Sequence, residues 1–361
     1  MFERRLYFHL DWALIGALAA LCAVGVLMVY STGQGNPRLF QSQLYALALG
    51  MIAFLVALSV DYRTLADRSH LIYLGLLALL VAVLLFGVVR GGARRWLPLG
   101  AFNLQPSEFA KIAVALVLAK FFGESRRGAP TMADLMVAGG LAAIPLVLIA
   151  RQPDLGTAVT VLPVYVAVVF VAGLPMRVLG VVAITALLAA PIAWKFGLQD
   201  YQRQRVITFV DPSQDTRGAG YQQIQARITA GSGGLWGKGF AEGTQAQLRF
   251  LPVAHNDFIF SVWAEEQGFA GVLVALALYL FVIVRSLDAA RLAKDRLGAY
   301  LVVGVLSGFV FQVLYNISMS AGLAPVKGLT LPLMSYGGSS LIATLTGFGL
   351  ILNVRMRRFT N

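Results

Sequence analysis

The chain has 361 residues, 58% of them hydrophobic and only 13% charged, with a mean hydropathy of +0.75. Soluble domains carry about 25% charged residues, so the composition excludes an ordinary soluble domain and points to a membrane-embedded protein. Net charge is +12, but Lys and Arg are dispersed between apolar runs, which fits anionic lipid or a phosphorylated ligand better than a nucleic-acid groove.

In chain order, apolar runs long enough to cross about 30 Å of hydrocarbon cover Trp12–Tyr30, Leu44–Val60, Leu71–Val89, Pro106–Phe122, Met132–Ala150, Leu155–Ala172, Val178–Trp194, Phe258–Arg285, Gly298–Met319 and Gly338–Asn353. The expectation is an all-α polytopic membrane protein with about ten transmembrane helices, forming one domain over residues 1–361. Continuous runs of this kind are not the alternating strands of a β-barrel. Arg4 and Arg5 precede the first run, yet it extends too far for a cleavable signal and no A-x-A-like site follows. The single cysteine, Cys22, lies inside that run, so no internal disulfide is expected.

Basic residues in the short loops set the expected orientation. One side collects Arg4, Arg5, Arg63, Arg68, Lys120, Arg126, Arg127, Arg177, Arg285, Arg291, Lys294, Arg296, Arg355, Arg357 and Arg358. The other holds Arg38, Arg90, Arg94, Arg95, Arg151 and Lys327. The first side is therefore expected to be cytoplasmic, with both termini inside. Residues 195–257 then form one large extracytoplasmic loop before the eighth helix, packed over the bundle.

The chemistry-bearing residues collect toward the outer face. Arg94 and Arg95 are adjacent cations in a short outer loop, suited to lipid headgroups, an ion pair or an anionic ligand. In Gln105-Pro-Ser-Glu-Phe-Ala-Lys111, Pro106 suits a first helical turn and Glu108 and Lys111 share a face. That pair either stabilises packing or lines a cavity. Asp154, in Arg151-Gln-Pro-Asp-Leu-Gly-Thr157, either caps the next helix or joins a site. Gly231-Ser-Gly-Gly-Leu-Trp-Gly-Lys-Gly239 reads as flexible turns or as an ordered floor, and it lacks the spacing of a P-loop.

Pro325 to Ser340, with Lys327, Ser335 and Ser339, is an irregular stretch before the last span. Non-helical backbone at such depth needs protein or water around it, so a cavity wall is expected. Phe250-Leu-Pro-Val-Ala-His-Asn-Asp257 leads into the eighth span, with Glu265 and Glu266 just beyond. Asp257 is either a helix N-cap or a catalytic carboxylate. Of three histidines, only His255 is expected outside, so no zinc-like cluster is foreseen. A Mg²⁺ or Mn²⁺ ion shared between Asp257 and a substrate pyrophosphate stays open, and no organic cofactor is expected.

Over nearly its whole length the chain resembles the SEDS family (shape, elongation, division and sporulation) of bacterial cell-wall polymerases. The resemblance rests on Gly92-Ala-Arg-Arg-Trp96, Gln105 to Lys111, Gln152-Pro-Asp-Leu-Gly-Thr157, Gly220-Tyr-Gln222, Gly231-Ser-Gly-Gly234, Gly237-Lys-Gly239, Asp257-Phe-Ile-Phe260 with Glu265-Glu266, and Lys327 to Ser340. Gly243-Thr-Gln245 followed by Phe250-Leu-Pro252 looks more like the rod-shape branch than the division branch. Asn256 stands where the family usually has Thr, and Val253 where an acidic residue is common.

The resemblance implies ten transmembrane helices in the bacterial cytoplasmic membrane. It implies a peptidoglycan glycosyltransferase that polymerises lipid II during cell elongation, and a class B penicillin-binding protein as transpeptidase partner within the elongation machinery. The family's essential aspartate corresponds to Asp257, and its Glu and Lys on the fourth helix to Glu108 and Lys111. Arg94, Arg95, Lys111 and Lys327 are the candidate cations for the departing pyrophosphate, with Asp154, Ser335 and Ser339 as further substrate-binding residues. Two other readings remain: a lipid II flippase, and a non-enzymatic scaffold of the cell-wall machinery.

Overall fold

The computed structural model describes residues 9–33, 36–90, 93–99, 102–125, 130–175, 200–215 and 218–359, with scattered positions between 177 and 195. Arg4, Arg5, Gly92, Arg126 and Arg127 lie outside the described residues, as does most of the expected span Val178–Trp194.

Seven helices are long and apolar enough to cross a membrane. They are α1 (Trp12–Thr32), α2 (Pro37–Ser59), α4 (Ser69–Phe86), α6 (Met132–Arg151), α12 (Ile259–Arg291), α13 (Arg296–Ser320) and α14 (Gly338–Met356). Two shorter apolar helices match the remaining described spans. One is α5 (Ala110–Gly123), entered through a 3₁₀ turn at Pro106–Phe109. The other is the pair α7 (Leu155–Val159) and α8 (Val161–Val171). A short α3 (Tyr62–Asp67) links α2 to α4. The chain is thus a multi-pass helical membrane protein.

Polar residues between the runs start the helices, because the first turn leaves backbone N–H groups without partners. Asp11 accepts from Leu14 N at 3.2 Å, Asn36 from Arg38 N at 3.2 Å and Asp295 from Gly298 N at 2.8 Å. Thr131 and Asp134 form a reciprocal capping box at α6. The bundle centre is α14, buried along most of its length. Gly349 allows that close packing: a Cβ there would lie 2.6 Å from the Phe54 carbonyl oxygen of α2.

The outer loop that carries Arg94 and Arg95 differs from expectation. It folds as an antiparallel sheet of β1 (Val88–Arg90), β2 (Ala93–Leu99) and β3 (Phe102–Leu104), in that order. Strand pairing satisfies backbone groups of a β-branched and aromatic stretch that has no helix to join.

Between residues 195 and 257 the described chain holds α9 (Asp200–Val210), α10 (Ala219–Gly231) and α11 (Thr244–Gln247). Helix α10 packs on α12 and α13, and Gln223 Nε2 donates to the Gly322 carbonyl at 3.3 Å. The glycine-rich string is ordered. It is held against a kink in α12 at Gly268, where φ is +66°. Lys238 and Gly239 donate backbone bonds of 3.0 Å to the carbonyls of Glu265 and Glu266, and Phe269 N returns one of 2.9 Å to Gly234 O. A Cβ at Gly268 would sit 2.2 Å from Gly237 N, so only glycine fits both the dihedral and the contact.

Glu265 and Glu266 find their explanation in this loop. Glu265 is fully buried and accepts from Lys238 Nζ at 2.6 Å and from Gln245 N at 3.1 Å. Glu266 accepts from the Ser31 hydroxyl of α1 and from the Ala241 backbone in the loop. Both carboxylates anchor the loop to the bundle.

Candidate active site

Asp257 ends an irregular turn, two residues before α12. Of the two roles open to it from sequence, capping is not the one it performs. The N-cap is Phe258, and no side chain caps this helix. Among the described residues the Asp257 carboxylate has no hydrogen bond and no ion pair. Burial raises its pKa to about 6, the Arg95 charge lowers it and the Asp154 charge raises it further. The backbone of Gly328 closes over it: a Cβ there would lie 3.4 Å from Asp257 Oδ2.

Asp154 caps the next helix and also gathers polar partners around it. Its Oδ1 caps α7 at Thr157 N, 3.3 Å away, and lies 3.6 Å from Arg95 Nη1. Its Oδ2 accepts from Gln105 Nε2 at 2.9 Å and from Ser107 Oγ at 3.4 Å. Arg95 also donates to the Pro153 carbonyl. Arg94 goes elsewhere, donating to Leu84 O at the end of α4 at 3.1 Å. The structure therefore brings Arg95, and not Arg94, to the Asp154–Asp257 group.

Glu108 and Lys111 are buried and paired at 2.8 Å, and Lys111 Nζ donates a second bond of 2.6 Å to Gln312 Oε1 on α13. Lys111 and Gln312 line a small, partly open cavity of about 20 Å³ with Ile112, Val305 and Phe309. Lys327 lies on the segment that covers Gly156, where a Cβ would meet Lys327 O at 2.7 Å. Its ammonium sits 5.9 Å from the Tyr315 ring centroid, and burial together with the Arg205 charge lowers its pKa. The serines are engaged locally. Ser335 Oγ accepts from Leu331 N at 2.8 Å, and Ser339 Oγ accepts from Gln105 N at 2.8 Å. Both are buried in the wall, and Ser339 also donates to the Asn103 carbonyl at 3.3 Å.

Sequence reading missed three polar residues. Gln105 and Gln312 are described above. The third is Asn316, fully buried on α13, whose Nδ2 donates to the carbonyls of Asp257 at 2.8 Å and Leu329 at 2.7 Å. An amide inside an apolar span is the signal that could have found the last two. His255 packs edge-on against Tyr336, and burial lowers its pKa. Among the described residues no three His, Cys, Asp or Glu side chains gather as a metal set. With Asp154 already committed, Asp257 is, among the described residues of this group, the carboxylate with neither oxygen paired, and an ion would need most of its ligands from elsewhere.

The family model for FtsW, RodA and SpoVE, described as cell cycle proteins, matches residues 5–359. The chain is 40% identical over 350 residues to the peptidoglycan glycosyltransferase MrdB of Escherichia coli (strain K12), covering 97% of this chain and 94% of that one. Among solved structures, a chain from a peptidoglycan synthase complex that coordinates polymerization and crosslinking superposes with a TM-score of 0.86. It is 36% identical, over 98% of this chain and 99% of its own. The rod shape determining protein RodA of Thermus thermophilus superposes with a TM-score of 0.74 at 33% identity, covering 98% of each chain. Matched end to end in sequence and in fold, the chain belongs to the FtsW, RodA and SpoVE family, the SEDS proteins whose motifs it carries.

Proposed function

We propose that the chain is a peptidoglycan glycosyltransferase that polymerises lipid II in the bacterial cytoplasmic membrane, with Asp257 as general base. The single observation that carries the assignment of the base is the unpaired Asp257 carboxylate, with a pKa raised to about 6 beside Arg95 and Asp154. A base works best with a pKa near the operating pH and with oxygens free to reach a proton. The positive-inside distribution puts this end of the bundle outside, where the disaccharide of lipid II is presented.

Asp257 takes the proton of the acceptor sugar 4-hydroxyl as that oxygen bonds to the anomeric carbon of the donor. The bond from that carbon to the lipid pyrophosphate breaks, and its electron pair leaves with the pyrophosphate. Attack opposite an α-linked leaving group gives a β-linkage in one inverting displacement. The leaving group is stabilised by cations. Arg95, whose charge acts on Asp257, serves this purpose, with Lys327 carried on the segment whose Gly328 faces the carboxylate, while Lys111 stays held by Glu108 and Gln312. A Mg²⁺ or Mn²⁺ ion, when bound, would be held by Asp257 and the pyrophosphate oxygens and would add positive charge there.

One structural neighbour comes from a peptidoglycan synthase complex that coordinates polymerization and crosslinking. By analogy this chain works with a class B penicillin-binding protein, in the elongation branch. The test is glycan-chain formation from lipid II by purified protein, with and without that partner. A flippase or a scaffold gives no polymer under either condition.

A further inference from the structure

We propose that Asn316 is a positioning residue for the transfer reaction: its amide clamps the backbone that carries Asp257 to the backbone that carries Lys327 and Gly328. The inference rests on Asp257 being the base. Two irregular segments meet here, and neither has a helix or a strand to hold it in register. Both amide protons of Asn316 are spent on them, one on Asp257 O at 2.8 Å and one on Leu329 O at 2.7 Å. Both acceptors are carbonyls, so only one orientation of the amide satisfies them. Asn316 Oδ1 is buried without a partner among the described residues. An apolar side chain of the same size would avoid that cost, so the two donated bonds are what the asparagine contributes.

The clamp sets distances on the reacting side. Leu329 follows Gly328, whose backbone faces Asp257 Oδ2. Lys327, one residue earlier, packs its carbonyl over Gly156 beside the Asp154 turn. One amide on the rigid helix α13 thus ties the base, a candidate pyrophosphate cation and the Asp154–Arg95 pair into one geometry. Small displacements of such a group cost rate more than affinity.

Asn316→Leu keeps the branching at Cγ and removes both donors; Asn316→Ser leaves a single hydroxyl donor. Turnover of lipid II per folded protein, with the partner present, should fall at least about tenfold for Asn316→Leu, and less for Asn316→Ser, with KM within about twofold.

A purely structural Asn316 predicts otherwise: lower thermal stability, but unchanged turnover per folded protein. That result overturns the proposal, and so does failure of both variants to fold. If wild type and Asp257→Asn polymerise equally, the reading of Asp257 is what has failed. If Asp257→Asn is inactive and Asn316→Leu is normal, the clamp alone has failed.

Discussion

Arg94 and Arg95 are neighbours in sequence and leave β2 on opposite sides. Arg94 ends on the Leu84 carbonyl, whereas Arg95 reaches Asp154 Oδ1 at 3.6 Å. Strand alternation makes this unavoidable, because successive side chains point to opposite faces.

The two arginines should therefore respond unequally. Arg95→Ala leaves a buried Asp154 carboxylate without its cation and removes a charge acting on Asp257, so lipid II turnover should drop sharply. Arg94→Ala loses one exposed hydrogen bond at a helix end, worth about 1 kcal/mol, and turnover should stay within about twofold of wild type. Equal losses in both would restore the expectation that the pair acts together on substrate.

Glu108 and Lys111 should behave as a coupled unit. Removing one partner of a buried pair leaves an uncompensated charge, which costs about 3–5 kcal/mol. Glu108→Ala and Lys111→Ala should each lower thermal stability and activity, and the double variant should lose less than the sum. Gln312 still offers Lys111 one acceptor, so Lys111 is the better tolerated partner when Glu108 is the one removed. Additive losses in a properly folded double variant would contradict the coupling.

Gly268→Ala tests the anchoring of the outer loop. A Cβ there meets the backbone of Leu235, Trp236 and Gly237 within 2.6 Å, at a φ that side chains disfavour. The string 231–239 should lift from α12, and limited proteolysis should cut it faster than in wild type. An unchanged cleavage pattern would mean that the kink relaxes without releasing the loop.

Much of this arrangement is legible in the sequence because membrane spans announce themselves by length and composition. Asp257, Glu108 and Lys111 stand out for the same reason, as charges in or beside apolar runs. What the sequence hides is who meets whom. Glu265 and Glu266 look like candidates for chemistry until Lys238, Gln245 and Ser31 are seen around them. The sheet at Arg94 and Arg95 depends on strand pairing that a short stretch broken by glycines does not advertise. Asn316 lies 59 residues from Asp257, and no local pattern links an amide on one helix to a carbonyl at the start of another.

Asp257→Asn separates stability from catalysis, because Phe258 and not Asp257 occupies the cap position. Asn preserves the size of the side chain and removes the titrating carboxyl. Burial raises the folded pKa from 3.8 to about 6, so this group favours the folded state most below pH 3.8 and loses that contribution as pH rises through 6. At neutral pH the ionised carboxylate opposes folding, by at most about 3 kcal/mol. Asp257→Asn should therefore raise the melting temperature slightly, as is common where an active site holds a strained group. Polymerisation should fall by at least about 10²-fold, the low end for a general base. In wild type, activity should decline as pH falls through about 6, since the protonated carboxyl cannot accept the sugar proton. A variant with wild-type turnover, or a wild-type profile that stays flat from pH 7 to 5, would remove Asp257 from the chemistry.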